Sequence, residues 1–400
     1  MTYEEIVSII DNKHRFGKAC GKDVTQELLG VLGNPEKHMK IIHIAGTNGK
    51  GSVAAFVSSI LQAASFASDN KFKVGLFTSP HLIEYTERIQ INGQQISKAD
   101  VARLGEKLLH TPLKLEPTMF DYWLAMALLY FKEQNVEYVV LETGLGGAKD
   151  STNGLSVPPL VCAITSIGLE HTQYLGDTLP LIAGEKAGII KPKVPVVIGR
   201  MPAEAREVII ARCHKLESEY VLADEVPLDR PLGLFGGYQR SNAAVAEEIV
   251  KLLDIAIPDY IVNEGLAKAV WKGRMQIISQ APFILVDGAH NPSGVKALYD
   301  SLIAEFPNQQ FSFIMAVMAD KDYSQMARII APVASRIYTV TVESQRALQA
   351  SALAAAIEAI GIKATCVDSY ETAINAANGF AEPMIVFGSL YFIGEILGGL

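Results

Sequence analysis

Short apolar runs alternate with segments of helical spacing through the first two thirds of the chain. The helical segments span residues 119–134 and 203–216. The apolar runs predict buried strands at residues 41–45, 73–77, 138–141, 160–165 and 195–198. Strands that are apolar at nearly every position are typical of a sheet covered on both faces, so this pattern predicts a parallel α/β sheet.

The same alternation restarts after Arg274. Strands are predicted at residues 283–286, 311–317, 336–342 and 384–387, with helices at 293–306, 351–361 and 371–378. This second set is shorter and predicts a smaller, Rossmann-like doubly wound unit. With 400 residues, the chain is long enough for two domains, which we place at residues 1–279 and 282–400. For residues 223–237, the sequence predicts an irregular surface segment or short β elements.

Composition narrows the function classes. The chain is 49% hydrophobic and 20% charged, which is a globular composition, and its net charge of −8 argues against a general nucleic-acid or membrane-surface binder. Local basic clusters can still bind anionic small molecules. The first residues lack signal-peptide character, and no apolar run is long enough to span a bilayer. Four scattered cysteines fit a reducing compartment, so we expect a cytoplasmic protein.

A glycine-rich turn follows the first predicted strand and precedes a helix-forming segment. Strand, loop and helix in this order make an anion cradle, because loop and helix N-terminal N–H groups point at a phosphate. In this loop, Lys50 can reach the β/γ-phosphates of a nucleotide, and Ser52 can offer its hydroxyl to Mg²⁺. The predicted domain is therefore P-loop ATPase-like; an ordinary glycine-rich turn is the alternative. The loop residues are Gly46, Thr47, Asn48, Gly49, Lys50, Gly51 and Ser52.

Two further polar residues follow predicted strands. Glu142 ends one strand before a glycine-rich turn, where it is well placed to hold Mg²⁺ beside a triphosphate. A solvated strand-end carboxylate is the alternative. His171 follows the next strand; Mg²⁺ prefers oxygen ligands, so position alone favours a structural histidine there.

Several short motifs occur in one order along nearly the whole chain. They are Gly-Thr-Asn-Gly-Lys-Gly-Ser at 46–52, Thr-Ser-Pro-His-Leu at 78–82, Glu-Thr-Gly-Leu-Gly-Gly at 142–147, Ser-Ile-Gly-Leu-Glu-His-Thr at 166–172, Gly-Glu-Lys-Ala-Gly at 184–188, Asp-Gly-Ala-His-Asn-Pro at 287–292, Met-Ala-Asp-Lys-Asp at 318–322 and Gly-Ser-Leu-Tyr at 388–391. Together these motifs resemble those of the folylpolyglutamate synthases and dihydrofolate synthases of the Mur ligase superfamily.

The resemblance implies roles for individual residues. ATP would be bound by the loop residues 46–52 together with Asn242, Arg274, Asp287 and His290, although His290 could equally cap the following turn. Mg²⁺ would be held by Ser52, Glu142 and His171. For His171 the resemblance thus implies a metal ligand, where position alone favours a structural histidine. The catalytic residues would be Lys50, Lys186 and His171. The residues assigned to the substrate loop, near the folate and ATP sites, would be Ser79, Pro80, His81 and Asp150.

Lys186 has the most unusual implied role. In the family the matching lysine is carbamylated, reacting with CO₂ to become an anionic carbamate. An ammonium beside two Mg²⁺ ions would be repelled, whereas a carbamate can help to orient them. The reaction needs a neutral amine, so burial or nearby cations should lower the pKa of Lys186. A surface lysine in a helix is the alternative.

The function implied by the resemblance is that of a folylpolyglutamate synthase. Such an enzyme uses MgATP to join L-glutamate to the γ-carboxylate of a reduced folate through an acyl phosphate. A bifunctional dihydrofolate/folylpolyglutamate synthase is the main alternative; a cell-wall Mur ligase or a non-catalytic nucleotide-binding module is a weaker one. We expect a monomer whose partners are small molecules.

The sequence departs from the family pattern at recognition positions. Ala148 stands where many members have Arg, Gln173 where they have Asp, and Lys272 where they have Pro. Residues 16–23 also differ from the N-terminal loop common in bifunctional members, which helps to form a dihydropteroate site. Dihydrofolate synthase activity is therefore the less certain of the two activities.

Overall fold

The computed structural model describes residues 1–14, 21–380 and 382–399. The chain divides into two compact units, which are described separately. The first contains residues Met1–Gly233 and Ser241–Val270, and the second contains Leu234–Arg240 and Trp271–Leu400. Residues 16–20 of the unusual N-terminal segment lie outside the described residues.

An eight-stranded, mostly parallel sheet forms the centre of the first unit. Its order is β4-β3-β2-β5-β1-β6-β7-β8, and only the pairings β2–β3 and β3–β4 are antiparallel. The strands are β1 (Lys40–Ala45), β2 (Val74–Phe77), β3 (Ile89–Ile91), β4 (Gln94–Gln95), β5 (Tyr138–Glu142), β6 (Val161–Ile164), β7 (Val196–Ile198) and β8 (Tyr220–Leu222). Strands β2, β5, β6 and β7 are buried throughout, as continuous apolar runs predict.

Among the described residues, ten helices belong wholly or largely to this unit. They are α1 (Tyr3–Asp11), α2 (Gly21–Val31), α3 (Lys50–Ala67), α4 (Lys98–Leu109), α5 (Met119–Glu133), α6 (Thr172–Leu175), α7 (Leu179–Lys186), α8 (Ala203–Lys215), α9 (Tyr238–Lys251) and α10 (Asp259–Lys268). Helix α5 shows why these segments fold as they do. Thr118 and Asp121 form a capping box at its start, and apolar residues on most of its surface bury it against the sheet.

The second unit has a six-stranded sheet of order β13-β12-β11-β14-β10-β9, parallel except for β9 against β10. Its strands are β9 (Gln276–Gln280), β10 (Phe283–Asp287), β11 (Phe311–Met315), β12 (Ala334–Thr339), β13 (Ala364–Cys366) and β14 (Met384–Phe387). Its helices are α11 (Pro292–Glu305), α12 (Tyr323–Ile330), α13 (Ala350–Glu358), α14 (Tyr370–Asn378) and α15 (Leu390–Gly398). The predicted two-domain α/β fold class, with a parallel-sheet unit before a smaller Rossmann-like one, is confirmed.

The boundary between the units differs from the one placed at residues 279–282. Residues 279 and 280 end β9 and residues 281 and 282 connect it to β10, and the division falls at Val270 and Trp271 instead. The physical reason is that β9 pairs with β10 in an antiparallel ladder, which ties it to the second sheet. A short segment, Leu234–Arg240, also clusters with the second unit.

Some predicted strands are shifted because apolarity reports burial and not strand pairing. Val340 and Val342 are buried but lie beyond the end of β12, and Val317 lies beyond β11. The irregular character expected of residues 223–237 is observed. Within the described ranges, no helix combines the length and apolarity required to cross a bilayer.

Candidate functional site

The glycine-rich loop lies at the carboxyl end of β1 and is fixed to the segment that follows β6. The carbonyl oxygen of Asn48 accepts hydrogen bonds from Thr165 Oγ1 at 2.6 Å and Ser166 Oγ at 3.0 Å. The backbone N–H of Thr47 donates to Ser166 O at 2.8 Å, and its hydroxyl donates to Gly168 O at 3.2 Å. These bonds hold the loop against the segment that follows β6.

Gly49 is required by both backbone conformation and space. Its φ of +85° lies in the left-handed region, and it occupies the N-cap position of α3. A Cβ at this position would collide with the Asn242 side-chain oxygen. Asn242, for which the resemblance implies a role in ATP binding, therefore lies directly against the loop.

Lys50 and Glu142 meet beside the loop. Lys50 Nζ donates to Gly46 O at 3.1 Å and Thr47 O at 3.3 Å, and it lies 4.0 Å from Glu142 Oε1. Glu142 is buried at the end of β5, whose last residue pairs with Ile44 of β1. Ser52 is also buried, in the first turn of α3. The parallel pairing of β1 with β5 thus brings the lysine of the glycine-rich loop and a buried carboxylate together.

Lys186 reaches the same loop from another direction. It ends α7, is buried, and donates from Nζ to Gly46 O at 2.8 Å. Burial, and then the positive charge of Lys50, lower the pKa of Lys186 to about 7, against the opposing effect of Glu170, Asp150 and Glu185. A surface lysine would show none of these properties, so that alternative is excluded.

His171 has a left-handed backbone, with φ +51° and ψ +40°, at the start of the short helix α6. Such a conformation is uncommon for a residue with a side chain and is concentrated at functional sites. Its Nε2 lies 3.7 Å from Glu170 Oε1. His171 is thereby placed beside Glu170, whose negative charge opposes the lowering of the Lys186 pKa.

The predicted substrate loop is divided between two environments. The N–H of Ser79, which precedes Pro80 through a cis peptide bond, donates to Glu142 Oε2 at 3.0 Å. His81 instead accepts a hydrogen bond from Arg88 Nε at Nδ1, at 3.0 Å, and its ring lies 4.0 Å from that of Tyr85. Burial, and then Arg88, lower the pKa of His81 to about 3, so this ring is neutral at physiological pH.

Asp150 is buried and closes the glycine-rich turn after β5. It accepts hydrogen bonds from Leu145 N at 2.7 Å, Thr152 N at 3.0 Å and the Thr152 hydroxyl. Because that hydroxyl donates to Asp150, it accepts from His43 Nε2, 2.8 Å away. Burial lowers the pKa of His43 to about 3, which keeps this ring neutral. Asp150 therefore shapes the turn through its own hydrogen bonds.

In the second unit, Asp287 holds the turn that presents Arg274. Its Oδ2 accepts from the Tyr238 hydroxyl and Met275 N, each at 2.8 Å, and its Oδ1 accepts from Ala289 N at 2.7 Å. Arg274 packs so closely over Gly288 that a Cβ there would lie 2.6 Å from its Nη1. Asp287 thus holds the backbone of Met275, next to Arg274, and that of Ala289, next to Gly288.

His290 bonds to its own turn. Its Nδ1 lies 2.7 Å from Gly288 O, so that nitrogen carries the proton and donates. The N-cap of α11 is Asn291, whose side chain accepts from Gly294 N at 2.7 Å. The capping function considered for His290 in the sequence therefore belongs to its neighbour.

The side chains near the loop fit a magnesium ion. Mg²⁺ takes oxygen ligands and keeps several waters, usually binding through one or two carboxylates and substrate phosphates. Glu142 and Ser52 offer such oxygens. The hydroxyl of Thr143, next to Glu142, is buried and has no hydrogen-bond partner in the described part of the chain. Over the same residues, no three His, Cys, Asp or Glu side chains gather as a metal site, so a metal held wholly by such side chains is not indicated.

The sequence did not single out Thr165 or Tyr238, although each fixes a predicted site residue. Thr165 carried a weak signal, since its hydroxyl directly follows a buried strand that neighbours β1. Tyr238 carried none: it lies far from Asp287 along the chain, and only the fold brings the two together.

Comparison with known proteins agrees with this arrangement. Residues 44–222 match the Mur ligase middle domain, and residues 273–389 match the Mur ligase, glutamate ligase domain. The chain is 36% identical over 430 aligned positions to the dihydrofolate synthase/folylpolyglutamate synthase of Bacillus subtilis (strain 168), covering 98% of both proteins.

Solved structures are similar over the full length. The folylpolyglutamate synthase of Mycobacterium tuberculosis complexed with ADP has a TM-score of 0.90 and 29% identity, covering 99% of this chain and 97% of that one. The bifunctional folylpolyglutamate synthase/dihydrofolate synthase of Yersinia pestis, complexed with AMPPNP and a Mn ion, has a TM-score of 0.89 and 26% identity, covering 100% and 98%.

The contact between Gly49 and Asn242 predicts a specific result. Gly49→Ala should weaken ATP binding by more than about tenfold, because the new Cβ displaces Asn242 in addition to straining the backbone, at about 1–2 kcal/mol. Gly33→Ala is the matched control: its φ is +79°, but no atom lies within 4 Å of the new Cβ. Both variants should unfold at lower temperature, and only Gly49→Ala should lose affinity in an ATP titration. Equal ATP affinities would contradict the contact.

Proposed function

Because the chain belongs to the folylpolyglutamate synthase and dihydrofolate synthase family of Mur ligases, we propose that it is an ATP-dependent folylpolyglutamate synthase. It joins L-glutamate to the γ-carboxylate of a reduced folate. The observation that carries this proposal is the convergence of Lys50 and Lys186 on the carbonyl of Gly46, beside the buried carboxylate of Glu142. A module that only bound nucleotide would not need the second lysine there.

The proposed reaction has three steps. An oxygen of the folate γ-carboxylate attacks the γ-phosphorus of ATP, which gives an acyl phosphate and ADP. The α-amine of glutamate then attacks the acyl carbon and loses a proton. The tetrahedral intermediate collapses with release of phosphate, leaving an amide.

The first unit supplies most of the charge stabilisation in this proposal. The N–H groups of the loop and the N-terminus of α3 bind phosphate oxygens, and Lys50 moves from its own loop carbonyls to the β/γ-phosphates. The resemblance implies that Arg274, Asp287 and His290 of the second unit also contact ATP. The guanidinium of Arg274 is suited to two phosphate oxygens, and the bonds of Asp287 keep it in place.

Magnesium is the metal that fits this site. Ser52, Glu142 and His171 would hold it, and when bound it would neutralise charge on the transferring phosphoryl group. Ser79 N–H on Glu142 Oε2 would orient the carboxylate, whose Oε1 lies 4.0 Å from Lys50 Nζ.

Lys186 is proposed to act as a carbamate. Its neutral amine attacks CO₂, loses a proton and becomes an anion, while the remaining N–H can still donate to Gly46 O. The like-charged pair formed with Lys50 would then become an attractive pair. The pKa of about 7 supplies a large neutral fraction at physiological pH.

A second activity, dihydrofolate synthase, remains the alternative because the B. subtilis relative carries both names. The two reactions would share the ATP machinery and differ only in accepting dihydropteroate. The monomeric state and cytoplasmic location remain predictions.

Purified protein assayed separately with tetrahydrofolate and with dihydropteroate tests the activity. With ATP and glutamate, we expect ADP release and a glutamylated product with tetrahydrofolate. Lys50→Ala should reduce this rate by at least about a hundredfold with an unchanged circular dichroism spectrum, because the β/γ-phosphates lose their countercharge. Near-normal turnover of Lys50→Ala at saturating ATP, or no product from the wild type with either substrate, would overturn the proposal.

The metal assignment is tested by the Mg²⁺ dependence of the rate. Glu142→Gln and His171→Ala should each raise the half-saturating Mg²⁺ concentration by about tenfold or more, since each removes one ligand. Asp69→Asn, on the surface loop after α3, provides a control for removal of an acidic charge. An unchanged Mg²⁺ dependence would remove the mutated residue from the metal set.

Carbamylation of Lys186 predicts a pH effect with a definite sign. At fixed dissolved CO₂, carbamate formation should rise with pH through about 7, because only the neutral amine reacts. Lys186→Ala should lose most activity, and Lys186→Glu should recover part of it by restoring a negative charge. Labelled bicarbonate and ¹³C NMR would detect the carbamate directly. A plain amine in the active, nucleotide-bound enzyme would contradict the assignment.

A further inference from the structure

Two backbone segments around Lys186 lie in direct contact. The first is residues 146–149, in the glycine-rich turn, and the second is residues 185–188, at the end of α7. Ala148 N donates to Glu185 O at 2.8 Å, and Lys149 N donates to Glu185 Oε1 at 3.2 Å. A Cβ on Gly147 would lie 2.7 Å from Lys186 O. The two segments therefore depend on each other for their positions.

One buried side chain bridges them. The amide nitrogen of Asn153 donates to Ala148 O at 3.0 Å and to Gly188 O at 3.1 Å, one carbonyl from each segment. Both hydrogens of the amide group are thus used. Asn153 lies in a short 3-10 helix, Ser151–Gly154, which Asp150 caps.

The orientation of this amide is set by a lysine. Lys191 Nζ donates to Asn153 Oδ1 at 2.6 Å, a charge-assisted bond. If the amide were reversed, its oxygen would face two carbonyl oxygens and its NH₂ group would face an ammonium. Lys191 thereby directs the two N–H groups of Asn153 towards Ala148 and Gly188.

We propose that Asn153, oriented by Lys191, is a positioning residue for Lys186. The clamp formed by Asn153 holds the end of α7 against Gly147, so that the side chain of Lys186 reaches Gly46 O instead of moving into solvent. This inference rests on the proposed function only for its effect on turnover; the placement of Lys186 can be measured without any ligation.

Asn153→Asp tests the clamp while keeping the size of the side chain. The carboxylate retains the bond with Lys191 but cannot donate to either carbonyl, so the two segments should separate. Lys186 would then be less buried and farther from four charged residues that now act on it, which are Lys50, Glu170, Asp150 and Glu185. We expect kcat for ligation to fall at least about tenfold, because both hydrogen bonds of the clamp are lost, with KM for ATP changed by less than about threefold.

Reaction of Lys186 with cyanate, measured by peptide mass spectrometry in CO₂-free buffer, gives a readout independent of activity. The amine attacks the carbon of isocyanic acid and a proton transfers to nitrogen, giving a stable urea. The pH midpoint of this labelling should rise by at least one unit in Asn153→Asp, towards that of an exposed lysine. Lys191→Met should shift the pH midpoint of labelling in the same direction. If Asn153→Asp does not fold, the result for Lys191→Met is the test of the clamp.

Asn92→Ala is the matched control. It removes the 2.8 Å bond from Val74 N to Asn92 Oδ1, at the start of β2, and should lower stability without changing the labelling midpoint or kcat. The clamp would be overturned if folded Asn153→Asp had the labelling midpoint of the wild type. If Asn153→Asp does not fold, the same result in Lys191→Met would overturn it. A shifted midpoint in a protein whose wild type makes no product would uphold the clamp and reject the proposed function.

Discussion

One backbone carbonyl, that of Gly46, organises the site in the first unit. It accepts hydrogen bonds from both Lys50 and Lys186, so two groups that repel when both are protonated are held on the same oxygen. Burial relieves part of this repulsion by lowering the pKa of Lys186 to about 7. The carbonyl is placed by β1, which lies between β5 and β6 in the sheet. The contacts of Lys50 and Lys186 with this carbonyl therefore depend on that strand.

The parallel sheet explains why such distant residues meet. Strands β5, β1 and β6 are adjacent and run in the same direction, so the residues after their carboxyl ends share one edge. Glu142 is the last residue of β5, Gly46 follows β1, and Thr165 follows β6. Thr165 fixes the loop while Glu142 balances the charge of Lys50. The clamp through Asn153 adds α7 to the same edge.

The sequence predicted the fold class well because continuous apolar runs report burial on two faces, as in β5 and β6. It could not predict β3 and β4, which are too short for a pattern, or β9, whose polar ends disguise a strand that pairs with β10. Within the site, motif residues such as Lys50 and Glu142 were identified from their positions after strands. The contact of Asn242 with Gly49 was not visible in the sequence, because it depends on how helix α9 packs against the loop.

The edges of the two sheets have a consequence for behaviour at high concentration. Strand β4 has two residues, both exposed, and β8 and β13 have three each, so these edges offer little backbone for another chain to extend. Strand β9 has five residues, Gln276–Gln280, and ends the second sheet. Ordered aggregation by strand addition would therefore begin at β9. A charged residue introduced there would raise the highest concentration at which the protein does not aggregate.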